Sequence, residues 1–106
     1  MNGAPVVVAG DQLIARFDSD QLGAGPQALT ATDARLDRVV RLDGDGLVIT
    51  LAQRAAGAEL TWWTLADLRP VRTAAIAAAF DIAVEPTTGV VVAASTDGQL
   101  RGYVCE

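Results

Sequence analysis

The sequence contains no histidine and no lysine, and its single cysteine, Cys105, is the residue before the C-terminus. Hydroxyl and thiol groups therefore have no imidazole or amine base to activate them as nucleophiles. Acid–base chemistry would rest on carboxylates alone. A single cysteine cannot form an intrachain disulfide, which favours a reducing compartment. We therefore predict a protein that is not an enzyme and that works in the cytoplasm.

Positive charge is scarce as well. The chain has 8 basic residues, all of them arginine, against 13 carboxylates, which gives a formal net charge of -5. Nucleic-acid binding requires a basic surface that neutralises phosphates, and binding to an anionic membrane requires a polybasic segment. No apolar run approaches the length of a membrane span, and residues 6–9 are too short a run for a signal peptide. The sequence therefore predicts no nucleic-acid partner and no membrane partner.

Carboxylate pairs occur at Asp18 and Asp20 and at Asp43 and Asp45, but neither pair belongs to a recognisable ligand set. A calcium loop needs several oxygen ligands and a late bidentate glutamate. The next carboxylate after Asp45 is Glu59, which follows an apolar run. Turn chemistry explains both pairs, because aspartate is common at tight turns. Since no phosphate-binding loop and no metal-ligand cluster is present either, we predict no metal and no cofactor.

The sequence does contain short runs of β-branched and aromatic residues bounded by turn residues, which are typical of strands. Hydrophobic residues make up 51% of the chain, enough for a folded core. Three pairs of runs are each interrupted by a turn, at Gly10-Asp11, Ala56-Gly57 and Asp97-Gly98. The pairs are residues 6–10 with 13–17, 47–51 with 60–65, and 90–94 with 100–104; the strands expected at 38–42 and 81–84 are aligned so that Val40 matches Ile82. The sequence therefore predicts an all-β fold.

Aromatic residues are few, and three of them recur at one point of each strand pair. An apolar residue stands three positions before each aromatic. These six positions, which we interpret as structural, are Ile14 and Phe17, Leu60 and Trp63, and Leu100 and Tyr103. The recurrence defines a four-stranded unit of about 43 residues, which is the size of a propeller blade.

This unit resembles the WD repeat, in which an apolar strand leads to a small-polar-Asp-Gly turn, then to a strand ending in Trp-Asp, then to an outer strand. Residues 94–103 (ASTDGQLRGY) and 60–71 (LTWWTLADLRPV) follow this pattern, and residues 14–18 (IARFD) supply an aromatic-Asp dipeptide. The chain departs from the family because it has no histidine for the usual Gly-His dipeptide, and Thr64 and Val104 stand where aspartate is common. The resemblance is to a divergent, bacterial-type propeller held together mainly by packing.

The resemblance implies an incomplete β-propeller of four-stranded antiparallel blades. Residues 1–35 would form a partial blade, residues 36–78 a complete blade, and residues 79–106 a second partial blade. For Thr73 to Ala83 a short helix is an open alternative to strand, because the alanine-rich run has high helix propensity. Closed propellers have about four to eight blades, so we expect further copies of this chain, or other protein chains, to close the ring.

The resemblance also implies a function: a non-catalytic protein-interaction or scaffold module, in which loops on a rigid disc give specificity. One alternative is an oligomeric propeller of the lectin type that binds carbohydrate or another small ligand. A second alternative is an accessory propeller segment of a larger enzyme. Exposed tryptophan would favour the lectin type, whereas activity only in the complete assembly would favour the accessory segment.

Four residues are candidates for an interaction surface: Arg16, Arg41, Trp62 and Arg101. Trp62 and Trp63 point to opposite faces of a strand, so they cannot form one sugar-stacking platform, and we expect both rings in the core. An arginine within a sheet needs a carboxylate partner. Structural pairing is therefore the alternative to a ligand-facing rim, with four possible partners: Asp18, Asp37, Asp81 and Asp97.

Overall fold

A computed structural model describes residues 5–18, 23, 25–26, 28–42, 46–55, 57–85 and 87–103. Within these ranges the fold is all-β, as predicted, and every strand pairing is antiparallel. The strands are β1 (Pro5–Asp18), β2 (Ala28–Leu42), β3 (Leu47–Arg54), β4 (Gly57–Thr64), β5 (Pro70–Ile76), β6 (Ala79–Val84), β7 (Val91–Ser95) and β8 (Leu100–Tyr103). Strands β1 to β5 form one sheet in chain order, and β6 to β8 form a second sheet in chain order.

The predicted turn at Gly10-Asp11 is wrong, because β1 continues through it as one strand. The pairing of β1 with β2 shifts register between Asp11 and Leu13, and the intervening Gln12 has a left-handed φ of 68°. An extra residue of this kind forms a β-bulge, which bends and twists a strand without reversing it. The two short runs predicted here are therefore the two halves of one bulged strand.

Strand β2 passes from one layer of the fold to the next. Its residues 28–35 pair with β1, its residues 36–42 pair with β3, and the register shifts between Leu36 and Arg38. Strands that change sheet through such a bend form the corners of layered β structures. We call β1 with residues 28–35 the outer hairpin, and residues 36–42 with β3, β4 and β5 the central sheet. The boundary expected near residue 35 falls inside this continuous strand, where its pairing partner changes.

Side chains alternate between the two faces of the central sheet along β3 and β4, and another layer covers each face. On one face, the Trp63 face, Val48 and Ala52 pack with Ile14 and Leu36 of the outer hairpin and of β2. The opposite face, the Trp62 face, carries Ile49, Leu51 and Leu60 and packs against the second sheet. The outer hairpin, the central sheet and the second sheet are thus three layers in that order.

We call the second sheet, β6 to β8, the C-terminal sheet. It contacts the central sheet through apolar packing and polar contacts. Ile82, Val91 and Ala93 enter the same buried cluster as the Trp62 face. Gln53 donates a hydrogen bond of 2.8 Å to the carbonyl of Ala79, and Arg38 and Asp81 form an exposed ion pair at 3.2 Å. Strand β6 is the part of this sheet that approaches β2 and β3.

The helix considered for Thr73 to Ala83 is wrong, because these residues belong to β5 and β6 and the bend between them. Ala74 pairs with Leu60, and Ile82 pairs with Ala93. Long-range pairing and burial override the high helix propensity of the alanine-rich run here. The boundary expected near residue 78 lies at the bend between the two sheets. No helix among the described residues is long and apolar enough to cross a membrane.

Strand pairing repeats between the central and the C-terminal sheets. Val48 faces Trp63 as Val91 faces Tyr103, and Leu51 faces Leu60 as Ala94 faces Leu100. The alignment of Val40 with Ile82 is wrong by one residue. Thr50 pairs with Val39, and its counterpart Ala93 pairs with Ile82. The residue that corresponds to Ile82 is therefore Val39.

Candidate functional site

The two adjacent tryptophans lie on opposite faces of the central sheet. Trp62 is 1% exposed and Trp63 is 5% exposed, so neither offers a stacking surface for a sugar. The indole Nε1 of Trp63 donates a buried hydrogen bond of 2.9 Å to Oγ1 of Thr50. The indole Nε1 of Trp62 has no hydrogen-bond partner among the described residues. Trp63 is thus held by packing and a directed bond, whereas Trp62 is held by packing alone.

The three apolar repeat positions all face the same way along the stack of layers. Ile14 faces the central sheet from the outer hairpin, and Leu60 faces the C-terminal sheet from the central sheet. Leu100 lies on the face of the C-terminal sheet that is turned away from the central sheet, and it is 73% exposed. Leu60 and Leu100, whose cross-strand partners correspond, therefore differ in burial because no described layer covers Leu100. Phe17 and Tyr103 are half-buried.

Arg101 is the second residue of β8, and its side chain reaches back to the turn between β7 and β8. Its guanidinium donates hydrogen bonds to Ser95 at 2.7 Å, to Gln99 at 2.9 Å and to Asp97 at 3.1 Å. The hydrogen bond from Arg101, followed by that from the Gln99 amide, lowers the pKa of Asp97 below its ordinary value, and the same pairing raises the pKa of Arg101. These contacts stabilise the tight turn, so this arginine has a structural role in the hairpin.

The other two candidate arginines lie at the Trp63 face, Arg16 on the outer hairpin and Arg41 on the central sheet. Nη1 of Arg16 donates a hydrogen bond of 3.2 Å to the carbonyl of Ala66, and Oγ1 of Thr30 donates one of 2.8 Å to the carbonyl of Leu68. Both bonds tie the outer hairpin to the loop after β4. Arg41 is half-buried and pairs with Val48, so its side chain is on the Trp63 face of the central sheet.

A cleft of about 290 Å³ opens between the outer hairpin and the Trp63 face of the central sheet. Arg54 and Glu59 form an ion pair of 2.6 Å at its wall, and the hydroxyls of Thr61 and Thr73 lie 3.5 Å apart within it. The remaining lining residues are Ala31, Thr32, Leu36, Ala52, Trp63 and Pro70. This mixed apolar and hydroxyl lining suits a small neutral polar molecule. Sequence patterns did not single out this cleft.

Two exposed apolar surfaces lie at opposite ends of the stack. We call the first the hairpin face, which belongs to β1 and β2 and consists of Val6, Val8, Leu13 and Leu29. The second, the open face of the C-terminal sheet, consists of Leu100 with Ala83, Val92 and Ala94, and it contains a shallow groove of about 140 Å³ that Asp81 and Ile82 also line. Contiguous exposed apolar surface marks interaction sites in soluble proteins. The signal that predicts these faces is that both sides of β1 and β7 are apolar.

Metal-binding chemistry finds no support in the part of the chain that the structure describes. No group of three or more acidic, histidine or cysteine residues is close enough there to hold an ion. Asp20, Asp43, Asp45 and Cys105 lie outside the described residues.

No protein-family model and no curated protein matches the chain. Three features of the chain bear on its function: the repeat, the two exposed faces and the cleft.

Proposed function

We propose that this chain is a non-catalytic protein-interaction module, built from propeller-type blades related to the WD repeat, that binds other β layers through its exposed faces. The observation that carries the proposal is the common direction of Ile14, Leu60 and Leu100. Two of these residues are fully covered by the next layer, and Leu100 is 73% exposed. A blade that continues the stack would cover Leu100 as the C-terminal sheet covers Leu60.

The arrangement of strands supports a fan of blades rather than a simple sandwich. Strand β6, the first of its sheet, approaches β2, the first strand of the central sheet, at the edge opposite β5. In propellers, four-stranded sheets are placed radially around a channel, so their first strands converge. The bend at residues 77–78 then carries the chain from the last strand of one blade to the first strand of the next.

The energetics favour association at these faces. Burying one exposed leucine side chain contributes about 1.5–3 kcal/mol through the hydrophobic effect. The open face adds the side chains of Val92, Ala94 and Ala83 to that of Leu100. Exposed apolar sheet faces also carry an aggregation risk, which a bound partner removes.

Site-specific photo-crosslinking tests this function. We would place a benzophenone amino acid at Leu100 and, as a matched control, at Val71, which is also exposed (56%) but lies on β5 outside both end faces. We expect crosslinked protein adducts in living cells from position 100 and none from position 71. Equal adducts at both positions, or none at position 100, would contradict the proposal.

The cleft supports a second candidate function, binding of a small neutral polyhydroxylated ligand. Trp63 lines this cleft, so ligand binding is expected to change tryptophan fluorescence during titration with monosaccharides. Replacing the lining Thr73 by valine should weaken binding at least severalfold, because a hydroxyl contact is lost. Replacing Thr87, in the turn after β6, should leave the titration unchanged. A flat titration for the unaltered chain would remove this candidate.

A further inference from the structure

The open face of the C-terminal sheet has a counterpart inside the chain that is already covered. The counterparts of Ala94 and Leu100 are Leu51 and Leu60 on the Trp62 face. That face is buried by Ile82, Val91 and Ala93 of the next layer. The open face thus repeats a surface that this fold covers with a β layer.

We propose that the layer covering the open face is the outer hairpin of a second copy of this chain, in a head-to-tail arrangement. This inference rests on the proposed function and names the partner for that same surface. We call the direction from the outer hairpin through the central sheet to the C-terminal sheet forward. A layer that covers the open face must present its backward side to it. On the chain's own first layer that side is the hairpin face, where Leu29 is 62% exposed and Leu13, which pairs with Ala31 two residues further along β2, is 41% exposed.

Continuity of the stacking direction argues for this occupant. Within one chain the order is outer hairpin, central sheet, C-terminal sheet, and each layer packs its forward side on the backward side of the next. A second copy added by the same rule places its hairpin face on the open face of the first. The interface is heterologous, since two different surfaces meet, and it generates a ring if the rotation closes.

Variants that introduce a charge, combined with a mixing experiment, test the inference. Leu100→Glu disables the open face, Leu29→Glu disables the hairpin face, and Val71→Glu is the matched control. All three side chains are exposed, so each variant is expected to fold, which circular dichroism and a cooperative melt would verify. Sedimentation velocity in physiological salt then gives the assembly state, since a net charge of -5 opposes association at low salt.

We expect the unaltered chain and Val71→Glu to assemble, and Leu100→Glu and Leu29→Glu each to be monomeric. An equimolar mixture of the two monomeric variants should give a dimer, because one intact hairpin face meets one intact open face. If either glutamate variant fails to fold, the serine variants at the same positions replace it.

Three results would overturn the inference: a monomeric unaltered chain at micromolar concentration, a mixture that stays monomeric, or self-association of Leu29→Glu alone. The last result would mean that two open faces pair with each other. Failure of this inference differs from failure of the proposed function. A monomer whose position 100 still crosslinks to another protein keeps the function and loses the second copy. A crosslinker at position 100 that yields no adduct contradicts the function itself.

Discussion

Replacing Trp63 by alanine is expected to lower the free energy of unfolding by about 3–5 kcal/mol. The ring is 5% exposed and packs with Ile14, Val48 and Leu68 in the cluster between the outer hairpin and the central sheet. Truncation leaves a cavity there. It also removes the indole N–H that donates to Oγ1 of Thr50, so this buried hydroxyl loses a hydrogen bond. Urea unfolding followed by far-ultraviolet circular dichroism measures the change without relying on tryptophan emission.

Replacing Trp62 and Trp63 separately by phenylalanine distinguishes the contribution of packing from that of hydrogen bonding. Both Trp63→Phe and Trp62→Phe reduce ring size, but only the first removes a hydrogen bond, because Nε1 of Trp62 has no partner among the described residues. We expect Trp63→Phe to be the more destabilising of the two by about 1–3 kcal/mol. A Trp63→Ala variant with the urea midpoint of the parent would show that this ring is not part of the core.

The local parts of the fold were predictable from the sequence. The strand pairs predicted at residues 47–51 with 60–65 and 90–94 with 100–104 correspond to β3 with β4 and to β7 with β8, with small shifts at their ends; residue 104 lies outside the described residues. Short β-branched or aromatic runs bounded by turn residues, with an Asp-Gly turn in the second pair, specify such hairpins locally. The ion pair of Arg54 and Glu59 was also within reach, because the two residues flank the turn between β3 and β4.

The parts that depend on bends and on distant layers were not predictable. Gly10-Asp11 has the composition of a turn, yet neighbouring strands hold it as a bulge in β1. The corner in β2 places Ala31 and Leu36 over Trp63 and so creates the cleft. The sequence around these two residues does not indicate a contact with Trp63, because the contact depends on where β2 bends and places the outer hairpin on the central sheet. The alignment of Val40 with Ile82 was wrong by one residue for a similar reason. The register of the strand before each hairpin is set by its pairing with the hairpin, which the sequence pattern does not specify.

Burial at equivalent repeat positions was also beyond the sequence pattern. Leu60 and Leu100 stand at the same place in their units, and their cross-strand partners correspond. Nothing in their local sequence distinguishes a leucine that is covered from one that is not. The difference arises from the neighbouring layer, which is a property of the assembly of sheets and not of either hairpin.

The paired substitutions Leu60→Ala and Leu100→Ala are expected to differ by several kilocalories per mole. Leu60 is fully buried among Ile49, Leu51 and Trp62, so its truncation should cost about 2–5 kcal/mol. Leu100 is 73% exposed, and its truncation in the monomer should change stability by about 0.5 kcal/mol or less. Urea unfolding at low protein concentration, with Leu100→Ala as the matched control, measures both values.

Concentration then separates the intrinsic stability of the sheet from its docking role. When copies associate through the open face, Leu100 becomes buried, so the cost of Leu100→Ala should rise with protein concentration while the cost of Leu60→Ala should not. Equal costs for the two variants in the monomer would mean that a part of the chain already covers Leu100. Independence of the Leu100→Ala effect from concentration would mean that no second copy uses that leucine, and the surface would then be free for a different partner.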